Sequence, residues 1–450
     1  MNDILGGYTH RSVEPLVPTT EIEFVVDLMD EKEFTFLVWG PAGSQFHVSY
    51  NGVEDSIHTL GGVYSYAVSK ELSIGDCTIR LWSYDNIHRI AVHNQIYTED
   101  FDVIELRRYQ SSTIISMEHA FFNCRRLAVC LPSFTSDTLP LVTTYDGCFC
   151  GWHTFNGVLH ADFMSGDYLL VTSFAAAFSE WFMFNQSLPN GFLCGAMPFV
   201  ESFNYTFNGW WAFNDVLPAT FMTQQFPSLV NISYCFSAWR HYNQPLPVGF
   251  MCQYFPVLYT LVGCFSGWWD FNQVLPTGFM CQSFSLVQSF QLVFSGWESF
   301  NQVLPTGFMC QSFPLVQSFQ STFSFWRAFN QVLPAGFMCQ DFSSVVTMRS
   351  CFSVWSTFNK TLPIGFMLGG TGNVLDFNEC MSVWTSYRGA IVLLFGTTTA
   401  NYARCYSANR YMQGAGMPLV ITHTGVGDIT ECFRDCTSLS DYASIPFGWK

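Results

Sequence analysis

Tryptophan recurs every 29 residues from position 152 to position 384, and the apolar residues around it keep the same spacing. In one such repeat Phe323 lies three residues before Trp326, and Phe329 lies three residues after it. A period held without insertions is typical of a solenoid, in which each repeat is one coil stacked on the last. The three-residue spacing favours a short helical turn that points inward. The expected core tryptophans are Trp152, Trp181, Trp210, Trp239, Trp268, Trp297, Trp326, Trp355 and Trp384.

An asparagine stands four residues after almost every one of these tryptophans. At a fixed corner of each coil, its side-chain amide can satisfy backbone groups that the turn leaves unpaired. The pattern therefore predicts a stacked asparagine ladder. Its members are Asn185, Asn214, Asn243, Asn272, Asn301, Asn330 and Asn359.

Before the repeats the apolar period changes to two, as in the alternation of Ile22, Phe24 and Val26. Asn51-Gly52 is a tight-turn signal between two such runs. About seven short antiparallel strands in this region suggest a β-sandwich. The chain is thus predicted to be mainly β with short helical turns. The predicted parts are an arm or linker over 1–20, the sandwich over 21–105 and the solenoid over 106–450, with regular coils over 149–384 and an irregular C-terminal cap over 385–450.

Composition and charge exclude several functions. The chain is 49% apolar and 18% aromatic, and its net charge of −16 disfavours nucleic acid as a partner because phosphate binding needs a basic face. Long uncharged stretches are broken by Pro, Gly, Asn and Gln, so no membrane span is expected. The N-terminus lacks a basic segment followed by an apolar one, so no secretory signal is expected.

The sequence contains no recognisable catalytic motif. Its histidines are not spaced as metal ligands, and Asp270, Glu298 and Asp341 lie in different coils without a repeating acidic partner. We therefore expect no catalytic, metal-binding or cofactor-binding residues and no enzymatic activity. The 17 cysteines are expected to be free thiols, and four of them repeat at the 29-residue period: Cys252, Cys281, Cys310 and Cys339.

Charge is scarce between residues 156 and 367, which hold only 8 acidic and 4 basic residues. A neutral surface of this kind costs little to desolvate and suits contact with a partner. Trp211 and Trp269 each follow a core tryptophan, so their side chains should point outward. The predicted interface consists of Trp211, Trp269 and a glutamine column expected to face solvent: Gln253, Gln282, Gln311 and Gln340.

Several segments resemble known families. Residues 242–247 (YNQPLP) and the related FNQ segments resemble the FNQ-containing repeat of bacterial surface lipoproteins, and residues 431–446 are similar to the BspA-like leucine-rich repeat. The C-terminal segment SLSDYASIPFGWK resembles the ends of bacteriophage tail or virion proteins, and residues 36–52 resemble PKD or immunoglobulin-like modules. This chain departs from the repeat family in its longer period, in Trp for the customary Cys and in Phe for much of the Leu.

These resemblances imply a leucine-rich-repeat-type solenoid and a non-enzymatic structural or adhesive component of a bacteriophage particle. The implied partners are other virion proteins, a host-surface protein or glycan, or further copies of the chain, and the implied location is the virion, assembled in the host cytoplasm. A bacterial cell-surface adhesin is the alternative, and a glycan-active enzyme is the third hypothesis.

Overall fold

A computed structural model describes residues 17–28, 32–61, 66–92, 101–311, 313–423, 425 and 427–450. Its regular secondary structure is mainly strand with very few helices, which confirms the mainly-β prediction. The predicted arm over 1–20 lies almost wholly outside the described residues. The strands are β1 (Thr20–Leu28), β2 (Lys32–Trp39), β3 (Gln45–Tyr50), β4 (Val53–Thr59), β5 (Tyr66–Leu72), β6 (Gly75–Ser83), β7 (Arg89–Ala91), β8 (Phe101–Ser111) and β9 (Val129–Cys130).

The N-terminal strands form two sheets. One has six strands in the order β4-β3-β6-β1-β8-β9, and the other has three in the order β5-β2-β7. All neighbours pair antiparallel except β8 and β9, which are parallel. Phe24 of β1 and Phe36 of β2 meet edge to face with their ring centroids 6.5 Å apart, so apolar side chains of the two sheets pack together.

The predicted boundary between residues 105 and 106 falls inside β8, which continues to Ser111. This strand pairs with β1 on one side and with β9 on the other, and β9 belongs to the first of the stacked repeats. The boundary must therefore be moved beyond Ser111. The edge of a sheet presents unpaired backbone groups, and here the repeats satisfy them.

Successive repeats, called coils below, are joined by a backbone ladder. Single-residue parallel bridges link Ser289 to Ser318 and Ser318 to Thr347, and similar bridges link most neighbouring coils from Ser116 to Asn401. Within a coil, alternate N–H groups point to the next coil: that of Phe290 donates to the carbonyl of Ser318 at 2.9 Å, and that of Phe294 to Thr322 at 3.0 Å. Each coil thus aligns with the one before it.

The segments around the core tryptophans are turns and not the helical turns expected from the spacing of Phe323, Trp326 and Phe329. Phe325 has a φ of 63°, a left-handed conformation that a right-handed helix cannot contain. Alternate N–H groups then bond to the next coil instead of along a helix axis. Among the described residues, the helices are one α-helix, α1 (Met417–Thr422), and 3₁₀ turns at Thr371–Asn373, Tyr442–Ser444 and Phe447–Trp449.

Stacked aromatic rings fill the core. All nine tryptophans of the 29-residue series are fully buried. Neighbouring indoles are nearly parallel, with centroids from 5.1 Å apart (Trp152 and Trp181) to 5.7 Å apart (Trp268 and Trp297). Each indole N–H also donates to a backbone carbonyl, as Trp297 does to Phe265 at 2.7 Å, so the polar atom of each ring is satisfied inside the core.

The last coils are shorter than 29 residues. Buried Cys380, Cys405 and Cys432 occupy equivalent positions at intervals of 25 and 27 residues. At the end of the stack the ring of Trp449 covers Phe433, with centroids 6.0 Å apart, and the Trp449 carbonyl accepts the N–H of Phe433 at 2.7 Å. The C-terminal residues therefore close the exposed end of the core. None of the helices in the described ranges has the length and apolarity needed to cross a bilayer.

Candidate functional site

The asparagine residues form a continuous ladder along one corner of the stack. The side-chain Oδ1 of Asn301 accepts the backbone N–H of Asn330 at 2.9 Å, and Asn330 accepts that of Asn359 at the same distance. The same bond recurs through Asn185, Asn214, Asn243 and Asn272. Asn156 starts the ladder, and the prediction omitted it although it stands at the same period.

A second column, missed by the sequence analysis, explains the glutamine of the FNQ motif. The Nε2 group of Gln302 donates to the Asn272 carbonyl and to its Oδ1, both at 3.1 Å, and Gln331 repeats this on Asn301. The motif therefore supplies one side chain that accepts a backbone N–H and one that donates to a backbone carbonyl. The recurrence of Gln directly after Asn was the signal in the sequence.

The prediction that the Gln253 column faces solvent is wrong. Gln253 is buried, and its Nε2 group donates to the carbonyls of Met222 at 2.8 Å and Gln224 at 2.9 Å. Gln282 reaches back to Met251 in the same way at 3.1 Å. Gln311 and Gln340 are also partly buried. At a tight corner, the long amide side chain of glutamine can donate to backbone carbonyls that have no partner in a neighbouring strand. A glutamine that makes these hydrogen bonds is buried and does not form part of the exposed surface.

Trp211 and Trp269 lie outside the core, as the sequence predicts. Trp269 is 42% exposed and Trp211 is half-buried. The guanidinium of Arg240, from the coil between them, lies over both rings, 4.1 Å from the Trp211 centroid and 4.6 Å from the Trp269 centroid. The sequence analysis did not connect Arg240 with these two residues, although all three stand directly after a core tryptophan.

The stack continues toward the N-terminus. The ring of Phe182 lies 4.0 Å from Trp211, and His153 lies 4.7 Å from Phe182. His153 also bonds Glu180 at 2.9 Å, and this hydrogen bond lowers the pKa of the Glu180 carboxyl. The outer stack is therefore five side chains deep, one from each of five successive coils. It comprises His153, Phe182, Trp211, Arg240 and Trp269.

A column of valines forms an exposed apolar edge of the repeats. Each stands two residues after an asparagine of the ladder, and each is between 57% and 76% exposed. This set, called the valine edge, is Val158, Val216, Val274, Val303 and Val332. These exposed apolar side chains stand in register on a weakly charged surface.

The periodic thiols are half-buried and free. Burial raises the pKa of Cys252 to about 11 and also raises the pKa values of Cys281, Cys310 and Cys339. The Sγ of Cys281 lies 3.4 Å from the Thr306 carbonyl of the next coil. These groups are protonated, weakly nucleophilic thiols at neutral pH.

The acidic residues considered for glycan hydrolysis have structural partners. Asp270 bonds His241 at 2.8 Å, Glu298 bonds Arg327 at 3.4 Å, and the Asp341 carboxylate accepts the backbone N–H of Ser343 at 3.0 Å. No group of three or more potential metal ligands occurs within the described ranges.

One cleft of about 460 Å³ is lined by two aspartates, Asp137 and Asp167. Both are exposed, and the Oδ1 of Asp167 accepts the N–H of Ala196 at 2.7 Å, which ties it to the backbone. A glycosidase needs one carboxyl group kept protonated by burial, and this cleft buries neither aspartate. The cleft therefore gives little support to the enzyme hypothesis.

Comparisons of the chain with models of protein families, with curated proteins and with solved structures found no match.

Proposed function

We propose that the chain is a β-sandwich followed by a leucine-rich-repeat-type solenoid, and that it serves as a non-enzymatic structural or adhesive component of a bacteriophage particle. The sandwich assignment is supported by two sheets that share buried aromatic residues. The solenoid assignment is supported by parallel bridges at 29-residue intervals and by the stacked core rings.

The observation that carries the functional proposal is the valine edge. Val303 and Val332 are 63% and 66% exposed, and the coils between residues 156 and 367 carry only 12 charged residues. When a partner covers these side chains, water is released from apolar surface and few charged groups have to be desolvated. A protein partner that covers the edge along its length gains this energy at each coil that carries one of the five valines.

A bacterial cell-surface adhesin is the second candidate, and the outer stack favours it. Aromatic and guanidinium groups on the surface of a repeat suit the recognition of small polar ligands such as sugars. A mass-spectrometric inventory of purified virions and of washed cell surfaces separates these two candidates.

The interface is tested with the double variant Val303→Lys/Val332→Lys. Because burying two lysines without partners is costly, we expect normal folding by circular dichroism but loss of co-sedimentation with particles. The matched control is Leu286→Lys/Leu315→Lys, which places the same charges at another exposed column. Normal incorporation of the valine variant would refute the valine edge as the interface. Loss of binding in both variants would show that the contact is not confined to this edge.

A further inference from the structure

The outer stack holds a guanidinium group in a fixed position. Arg240 lies between Trp211 and Trp269, which come from the coils before and after it, at 4.1 and 4.6 Å from the two ring centroids. Cation–π contact on both sides restrains a side chain that is otherwise flexible. The guanidinium carbon therefore lies within cation–π distance of both indole rings.

These donors have no partner in the part of the chain that the structure describes. The Arg240 side chain makes no hydrogen bond or ion pair there, although the carboxylate of Asp270 belongs to the next coil and bonds His241 instead. The indole N–H groups of Trp211 and Trp269 have no acceptor among the described residues either, whereas every core tryptophan donates to a carbonyl. Arg and Trp side chains donate hydrogen bonds and accept none. Such a cluster suits an anion.

The surrounding backbone makes room for the Trp269 ring. Gly267 and Gly296 have φ values of 75° and 79°, and a Cβ atom there would lie 3.9 and 3.6 Å from the indole Nε1. A side chain at either position would be strained by this left-handed backbone, although its Cβ atom would make only ordinary van der Waals contact with the ring. Glycine at these two coils therefore permits the backbone conformation against which the Trp269 indole lies.

We propose that Arg240, Trp211 and Trp269 form a binding site for a carboxylate-bearing sugar. A planar carboxylate matches two N–H groups of one guanidinium, and the apolar C–H groups of a sugar ring can pack against the exposed part of Trp269. A nucleic acid would need several cations, whereas one guanidinium matches a single carboxylate, and the two aromatic rings add the apolar surface that a sugar ring can contact. The site deepens the adhesive role and rests on that proposed function.

The test uses the full chain and immobilised oligosaccharides of glucuronic acid. Binding is compared with that to neutral glucose oligosaccharides and to an oligoglutamate peptide. Arg240→Gln should weaken binding to the acidic sugar by about tenfold or more, since a charge-assisted hydrogen bond is lost. Arg240→Lys should weaken it as well, because lysine lacks the planar pair of donors. The matched control, Arg349→Gln, removes the same charge from an exposed position outside the stack and should bind as the parent does.

Each binding result supports or refutes a specific claim. Selective loss in the two Arg240 variants, with unchanged circular dichroism, supports the site. Equal binding to neutral and acidic sugars, equal loss in Arg349→Gln, or preference for the peptide overturns it. Absence of sugar binding in a chain that still enters particles defeats only this inference. Absence of the chain from both virions and cell surfaces defeats the proposed function itself.

Discussion

Replacement of Trp297 by alanine should destabilise the repeats strongly. The side chain is fully buried, stacks between Trp268 at 5.7 Å and Trp326 at 5.6 Å, and donates its N–H to the Phe265 carbonyl at 2.7 Å. Loss of a buried aromatic side chain costs about 3–5 kcal/mol, and an unpaired buried carbonyl adds about 1 kcal/mol. We therefore expect a loss of about 4–6 kcal/mol, concentrated in the coils that contact residue 297.

Trp269, which directly follows the core Trp268 of the preceding coil, supplies the control. Trp269 is a tryptophan of the same size outside the core, and its main described contact is with Arg240. Trp269→Ala should cost only about 0.5–1 kcal/mol.

Hydrogen exchange of the peptides around residues 290–300 is the appropriate assay, because a chain of this length need not unfold in one step. Protection should fall sharply in Trp297→Ala and remain near the parent value in Trp269→Ala. Equal protection in the two variants would contradict the assignment of the tryptophan column to the core.

Three further experiments test other parts of the structure. Asn301→Ala removes the acceptor for the backbone N–H of Asn330 and should cost about 1–2 kcal/mol, measured by hydrogen exchange of the peptide that contains Asn330, with Val303→Ala as control. Thiol labelling at pH 7.5 should be slow until denaturant is added, and fast native labelling would contradict the raised pKa values of Cys252, Cys281, Cys310 and Cys339. Burial of Glu21 tends to raise its carboxyl pKa, but hydrogen bonds from Arg108 and Arg80 outweigh it, and the pKa is lowered from its ordinary value of 4.5. The stabilisation from Glu21 is therefore present above pH 4.5 and is lost as the pH falls through the lowered value, so Glu21→Gln should reduce the acid dependence of unfolding measured by circular dichroism.

The 29-residue period was sufficient to identify the core and the asparagine ladder. When coils stack in register, residues one period apart occupy the same environment, so an unbroken column of Trp must be either wholly inside or wholly outside. A column of nine indoles is too large an apolar surface to leave in water, so it lies inside. The same argument could have identified the outer stack, because His153, Phe182, Trp211, Arg240 and Trp269 share one column of the repeat.

The tertiary structure decided how polar side chains are used at the corners. A periodic glutamine can face water or bond the backbone, and Gln253 does the second because carbonyls of the preceding coil lie within its reach. It also decided the conformation around each core tryptophan. The left-handed residues, such as Phe325, direct alternate N–H groups to the next coil, and a three-residue apolar spacing does not distinguish this arrangement from a helical turn. Periodicity in the sequence specifies which residues share an environment, whereas the direction of each hydrogen bond depends on the neighbouring coil.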